Sequence, residues 1–191
     1  MKTVWIVLGV IVLGVLMLGG SLMSSRNELV TDREAYKAAY QQVDVDLQRR
    51  LDLIPNLVET VKGFAKQEQG VINSVTQARA AMMGARTPSD RIAANNQLDG
   101  ALGRLFVMVE AYPDLKSNEN FMRLQDELSG TENRIAVERR KYNETVQKYN
   151  TSIELFPNNI AASIFGFQRN DAYFKTDPAS RQAPKVDFNK K

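Results

Sequence analysis

Residues 29–61 read LVTDREAYKAAYQQVDVDLQRRLDLIPNLVETV. Apolar side chains return here at every seventh position, and a companion row four residues further along does the same. Both rows continue to residue 82, and only Arg33, Arg50 and Glu68 in them are neither apolar nor aromatic. The first row is Leu29, Tyr36, Val43, Arg50, Leu57, Phe64, Val71 and Ala78. This spacing predicts one amphipathic, coiled-coil-like helix over residues 29–82.

Pro55 lies inside this predicted helix. A proline removes one backbone hydrogen bond and crowds the turn before it. Because the apolar rows continue in phase across Pro55, we predict a bend near residues 51–54 rather than a break.

Further helices are predicted downstream. Thr87-Pro88-Ser89-Asp90 indicates a turn, with Ser89 or Asp90 capping a second helix that ends at Tyr112, before Pro113. Its apolar stripe is Ile92, Leu98, Leu102, Leu105, Phe106 and Val109. After a polar loop at residues 116–120, a third helix runs to Pro157, and its stripe is Phe121, Leu128, Ile135, Tyr142, Tyr149 and Phe156.

The end of the chain is predicted to be less regular. Residues 160–174 are expected to form a short helix or an irregular cover with Ile164, Phe165 and Phe167 as its apolar patch. Residues 175–191, which contain two prolines and end in lysines, are expected to be a disordered polar tail.

Residues 4–23 are uncharged and mostly apolar, and Lys2 and Arg26 flank them. As a helix this run would span about 30 Å, the thickness of the hydrocarbon core of a bilayer. The residues assigned to the anchor are Val4, Trp5, Leu13, Leu16 and Leu22. A cleaved signal would have a shorter apolar region and a small-x-small cleavage site, so an uncleaved anchor is favoured. The flanking charges only slightly favour a cytoplasmic position for the rest of the chain.

These patterns predict an all-α protein, since strand alternation and a βαβ rhythm are missing from the sequence. We expect a transmembrane helix in residues 1–26 and an antiparallel bundle of three long helices plus a short C-terminal helix in residues 27–174.

Composition excludes several classes of site. The sequence has neither cysteine nor histidine, which removes thiolate chemistry and the commonest general base and transition-metal ligand. The net charge of +3 is modest, and we expect no nucleic-acid partner and no cofactor.

Two groups of polar residues are candidates for a functional role. Glu110 and Asp114 flank Tyr112-Pro113, and a carboxylate pair could perform acid–base chemistry, but a solvated helix end and a turn cap are the favoured interpretation. Arg50 lies on the apolar stripe beside Asp46 and Asp52, which favours a buried ion pair over a site for lipid headgroups or an acidic peptide.

Two tyrosines recur at the heptad spacing, in Lys141-Tyr142-Asn143 and Lys148-Tyr149-Asn150. Tyrosines at this spacing are more typical of a helix interface than of a cofactor site. We therefore predict that Tyr142 and Tyr149 anchor packing between helices.

Several segments resemble the LemA family. They are Gln48–Gly63 with its Asp52-Leu53-Ile54-Pro55-Asn56 core, Val109–Lys116, Leu124–Leu128, Thr131–Ile135, Tyr142-Asn143, Tyr149-Asn150, Phe156-Pro157 and Phe165-Gly166-Phe167. The resemblance implies a bacterial single-pass membrane protein with an antiparallel helical bundle and without an established enzymatic activity. One departure is Gln67, where relatives often carry histidine.

The resulting functional prediction is a non-enzymatic scaffold that self-associates at the bacterial cytoplasmic membrane. An adaptor that docks a membrane protease or another envelope protein is the alternative, and a carboxylate-based hydrolase is a remote one. The candidate interaction residues are Arg49, Arg50, Asp52, Pro55, Asn56, Glu110, Tyr112, Pro113 and Asp114.

Overall fold

The computed structural model describes residues 2–174, and every regular element in that range is a helix. The helices are α1 (Lys2–Phe64), α2 (Gln69–Gly84), α3 (Pro88–Val109), α4 (Pro113–Lys116), α5 (Glu119–Glu154) and α6 (Asn158–Phe165). The prediction of an all-α protein with a long apolar N-terminal helix is therefore confirmed. The tail predicted at residues 175–191 lies outside the described residues.

The helix predicted over residues 29–82 is divided into two helices. The structure keeps α1 helical through Pro55, ends it at Phe64, and reverses the chain over residues 65–68 before α2 begins. The Glu68 N–H donates to the Ala65 carbonyl at 3.1 Å and closes this turn. Gly63 and Gly70 flank the turn, and glycine is a poor helix former. The predicted continuity across residues 65–68 was wrong, because local periodicity does not reveal where a helix folds back.

The chain forms two compact units. Among the described residues, the first unit comprises residues 2–46 and 134–171, and the second comprises residues 47–133 and 172–174. Both α1 and α5 contribute residues to each unit.

The second unit has an almost entirely aliphatic core. It is formed by Leu47, Leu51, Ile54, Leu57, Val58, Val61, Ile72, Val75, Met82, Ile92, Leu98, Leu102, Leu105, Val109, Leu115, Phe121, Leu124 and Leu128. Folding α2 back buries its own apolar stripe, which a continued straight helix would leave without a partner in the chain.

Side chains define the helix starts in this unit. Thr87 caps α3 by accepting a hydrogen bond from the Asp90 N–H at 3.1 Å, so the predicted cap at Ser89 or Asp90 was wrong. The short helix α4 precedes the predicted polar loop at residues 116–120, which is shortened to residues 117–118 because α5 begins at Glu119. Asn118 Oδ1 accepts from the Phe121 N–H at 3.1 Å, next to the start of α5.

The first unit pairs α1 with α5 through tyrosines. Tyr142 and Tyr149 are buried, and their rings lie 5.7 Å from Tyr40 and 5.0 Å from Tyr36 between centroids. The predicted interface role of the two tyrosines is confirmed. Phe156, predicted to extend their stripe, instead follows the end of α5 and is 79% exposed.

A segment without regular secondary structure, residues 167–171, packs against α5 in the first unit. The Asn150 side chain donates to the Asn170 carbonyl at 2.7 Å and accepts from the Asn170 N–H at 2.9 Å. The Tyr149 hydroxyl donates to the Gln168 carbonyl at 2.8 Å. The polar atoms of the Tyr149-Asn150 motif therefore hold this segment in place.

The N-terminal part of α1 has the length and composition of a single membrane span, and none of the residues in its most apolar stretch is buried. Four of the predicted anchor residues, Val4, Trp5, Leu13 and Leu16, are exposed. Leu22 differs from them, because it packs partly buried against a cluster formed by Leu29, Ala161 and Ala162.

Candidate functional site

All nine candidate interaction residues lie in the second unit, but they do not form one site. Arg50 and Glu68 differ in position by 18 residues along the chain, and Glu68 lies beyond the end of α1. The helical part between Arg50 and Phe64 alone covers about 21 Å at 1.5 Å per residue. Because Tyr112 contacts Glu68, the corner at residues 110–114 lies at the far end of this unit from Arg50.

Arg50 forms a buried ionic cluster with two other helices. Its side chain is 7% exposed, and its Nη1 lies 2.5 Å from Asp99 Oδ1 of α3 and 2.7 Å from Glu132 Oε2 of α5. Nη1 also approaches Asn95 Oδ1 at 3.5 Å, and Asn95 Nδ2 donates to Asp99 Oδ2 at 2.8 Å. A buried ion pair was predicted correctly, but its partners come from distant helices and not from Asp46 and Asp52.

The two predicted partners are engaged elsewhere. Asp52 is exposed and accepts a hydrogen bond from Gln48 Nε2 at 2.9 Å, one helical turn away. Asp46 lies in the first unit, where its Oδ1 is 3.4 Å from Arg134 Nε. The carboxylates nearest to Arg50 in the sequence are therefore not its ion-pair partners.

A cavity of about 240 Å³ borders the cluster. It is lined by Arg50, Leu102, Phe106, Leu128, Ser129, Glu132 and Asn133. The cluster contains one cation and two carboxylates, and both carboxylates are partly exposed. Its chemistry is therefore suited to joining three helices in one register, because a shifted helix would leave the Arg50 charge buried and unpaired.

Pro55 is accommodated by an arginine from the neighbouring helix. Proline has no N–H, so the carbonyl of Leu51, four residues earlier, lacks its usual helical donor. Arg79 Nε of α2 donates to this carbonyl at 3.2 Å. The contact satisfies the carbonyl and links α2 to α1 at the position of the proline.

The remaining candidates on α1 face solvent. Arg49, Asp52, Pro55 and Asn56 are exposed, while Arg50 between them is buried. Positions 49, 52 and 56 follow helical spacing, so they share one face of α1. This exposed face is available to a partner.

The corner at residues 110–114 is held by a tyrosine. The Tyr112 hydroxyl donates to Glu68 Oε1 at 2.8 Å, which joins this corner to the turn between α1 and α2. That hydrogen bond raises the pKa of Tyr112, because the neighbouring carboxylate favours the protonated phenol. Glu110 Oε2 pairs with Lys116 Nζ at 2.6 Å, and Pro113 and Asp114 are exposed.

The first unit contains a polar cluster that the sequence analysis missed. Asp32 is buried and accepts hydrogen bonds from Lys148 Nζ and Ser152 Oγ, both at 2.7 Å. The hydrogen bond to Asp32 raises the pKa of Lys148. The burial of Asp32 could have been predicted from the sequence, because Asp32 lies three residues after Leu29 and therefore on the buried side of α1.

Metal ligation gains no support from these contacts. Across residues 2–174, His, Cys, Asp and Glu side chains nowhere gather in a group of three or more that could hold an ion. The carboxylates of the two clusters instead contact cationic, amide and hydroxyl side chains.

Comparison with known proteins gives a consistent family match. A protein-family model described as "LemA family" matches residues 39–188, which is more than half of the chain. The magnetosome proteins MamQ 1 and MamQ 2 of Paramagnetospirillum magneticum are each 30% identical over 194 residues, covering 88% of this chain and 71% of the relative. Magnetosome protein MamQ of Magnetospirillum gryphiswaldense is 28% identical over 202 residues, covering 92% of this chain and 74% of the relative.

Proposed function

We propose that this chain, which belongs to the LemA family, is a single-pass protein of the bacterial cytoplasmic membrane that self-associates as a non-enzymatic scaffold. One observation carries the proposal. The apolar stretch of α1, in which no residue is buried by the rest of the chain over its most apolar part, continues without a break into the helical fold, as expected of a membrane anchor rather than of a core helix.

Exposed apolar side chains support self-association. Phe64, Met83, Val107 and Met122 of the second unit are exposed, and Val107 is 75% exposed. Single exposed apolar residues are ordinary on protein surfaces. Copies anchored in the same membrane are held at a high effective concentration, however, so weak contacts of this kind are sufficient for association.

The particle mass of the full-length protein in mild detergent tests this role. We expect an assembly of several copies at high protein concentration that dissociates on dilution, because weak contacts depend on a high local concentration. Val107→Lys, which places a charge at the most exposed apolar position of the second unit, should reduce the particle mass, whereas Gln77→Lys at an exposed polar position of α2 should not. A monomer at every concentration would contradict the scaffold.

An adaptor is the second candidate, favoured by the exposed face of α1 that contains Arg49, Asp52 and Asn56. Internal packing leaves these polar side chains facing solvent. Charge reversal at both Arg49 and Asp52 of this face should abolish co-purification of a docked envelope protein. A matched reversal at the exposed Asp126 should leave it unchanged, and equal recovery from both variants would argue against the adaptor.

A further inference from the structure

The segment that contains α6 is apolar, exposed and uncharged. No charged residue occurs from Leu155 to Gln168, and Glu154 and Arg169 on either side form an ion pair with each other. The exposed apolar side chains of this segment are Leu155, Phe156, Ile160, Ile164 and Phe165. Phe156 and Ile164 are 79% and 61% exposed, which is unfavourable in water for a large aromatic and a large aliphatic side chain.

The opposite face of α6 fixes its position along α1. Ala161 and Ala162 form a buried cluster with Leu29, and Leu22 packs against this cluster. Leu22 lies in the last turn of the uncharged apolar run at residues 4–23. The exposed face of α6 therefore lies close to the point where α1 leaves the bilayer.

Two arginines of α1 lie next to aromatic rings of this segment, and Arg26 is the nearer of the two to the apolar run. The Arg26 guanidinium lies 5.5 Å from the centre of the Phe165 ring, and that of Arg33 lies 5.4 Å from the centre of the Phe167 ring. Cationic side chains next to aromatic rings are typical of the headgroup region, where the ring contacts acyl chains and the charge contacts lipid phosphates.

We propose that residues 155–165 are a second membrane contact, in which the exposed apolar face of α6 inserts into the headgroup region of the bilayer that holds the anchor. The inference rests on the membrane anchoring proposed above but not on self-association. The seven residues from Leu22 to Leu29 cover about 10 Å of α1, which is comparable to the headgroup region on one side of the bilayer, about 5–8 Å thick.

The absence of cysteine makes this insertion directly measurable. Single variants Ile164→Cys, Phe156→Cys, Val45→Cys and Leu13→Cys of the full chain would carry an environment-sensitive fluorophore in phosphatidylcholine–phosphatidylglycerol vesicles that contain nitroxide-labelled lipid. Val45 is the matched control, because it is an exposed apolar residue of α1 that lies 22 residues, or about 33 Å, beyond Met23. Leu13 reports on the anchor itself.

We expect lipid nitroxides to quench the labels at positions 164 and 156 at least about twofold more than the label at position 45, with a blue-shifted emission. Quenching at position 13 but equal, weak quenching at 164, 156 and 45 would overturn the second contact while leaving the anchor intact. Absence of quenching at position 13 would overturn the anchor and the second contact together.

A second copy of the chain is the competing occupant of this face. In that case the labels at 164 and 156 would be shielded from water without being quenched by lipid, and excess lipid would reverse the shielding. That result would overturn membrane insertion of α6.

Equal helix content by circular dichroism in all four variants would show that the substitutions leave the fold intact.

Discussion

The two units each bury a charged residue of α1, but they surround it differently. In the first unit Asp32 is 2% exposed, and its partners are a hydroxyl and Lys148, whose side chain is 70% exposed. In the second unit Arg50 is paired with carboxylates from two other helices. The first unit thus joins two long helices by tyrosine packing together with polar contacts, while the second encloses the Arg50 cation within an aliphatic core.

The difference shows which interactions each unit depends on. The buried apolar residues of the first unit are few and include two tyrosines, so its hydrogen bonds to Asp32 and Asn150 contribute a large share of its specificity. The second unit buries many Leu, Ile and Val side chains. Their removal from water stabilises this unit without depending on particular hydrogen bonds. Substitutions at the buried charges should therefore act in different parts of the molecule.

The largest effect is expected for Arg50→Met. Loss of the cation removes the positive charge that Asp99 and Glu132 share, and we expect a cost of about 3 kcal/mol, at the lower end for broken buried pairs because both side chains are partly exposed. Thermal unfolding in mild detergent measures the cost. Hydrogen exchange should accelerate in α3. Arg49→Met, one residue earlier but exposed, is the control, and equal effects of the two variants would contradict a special role for Arg50.

A smaller effect is expected for Asp32→Ala. Lys148 can return to water, but the buried Ser152 hydroxyl loses its acceptor, so the expected cost is about 2 kcal/mol. Exchange should accelerate in residues 158–171 and not in α2. Glu34→Ala on the exposed side of the same helix should leave the exchange pattern unchanged. Faster exchange in α2, without faster exchange in residues 158–171, would contradict the prediction that Asp32 stabilises the first unit and not the second.

Arg79 and Pro55 should be energetically coupled. In the natural sequence, Arg79→Met leaves the Leu51 carbonyl without its donor and should cost about 1 kcal/mol. With Pro55→Ala also present, the new backbone N–H at this position can donate to that carbonyl, so the same arginine substitution should cost much less. A double-mutant cycle of unfolding free energies measures the coupling. Additive effects would mean that Arg79 does not compensate for the proline.

The smallest expected effect concerns Tyr112 and depends on pH. Its pKa is raised in the folded protein by the hydrogen bond to Glu68. The stabilisation is therefore complete below the unfolded pKa of about 10 and is lost as the pH rises through the folded pKa. The difference in unfolding temperature between the natural protein and Tyr112→Phe should shrink above a pH of about 10.

Glu68→Gln provides the control for that measurement. The glutamine carbonyl can still accept from the Tyr112 hydroxyl, but the negative charge that favours the protonated phenol is removed. Alkaline destabilisation should therefore be weaker in this variant. The same alkaline loss in the natural protein and in both variants would show that other groups cause it.

Local patterns in the sequence were enough to establish the helical class, the apolar N-terminal helix and the tyrosine interface. Heptad spacing specifies which face of a helix is apolar, and a long uncharged run specifies a possible membrane span, so both can be read locally. The sequence also indicated that Arg50 is buried, because a charge on an apolar stripe must find a partner inside the fold.

Which residues meet was determined by packing between distant parts of the chain. Asp99 and Glu132 are 49 and 82 positions from Arg50, Arg79 is 28 from Leu51, and Glu68 is 44 from Tyr112. The end of α1 at Phe64 also follows from packing, since α2 buries its apolar side chains by reversing direction. Periodicity describes one helix at a time, whereas these contacts depend on which helices become neighbours and in what register.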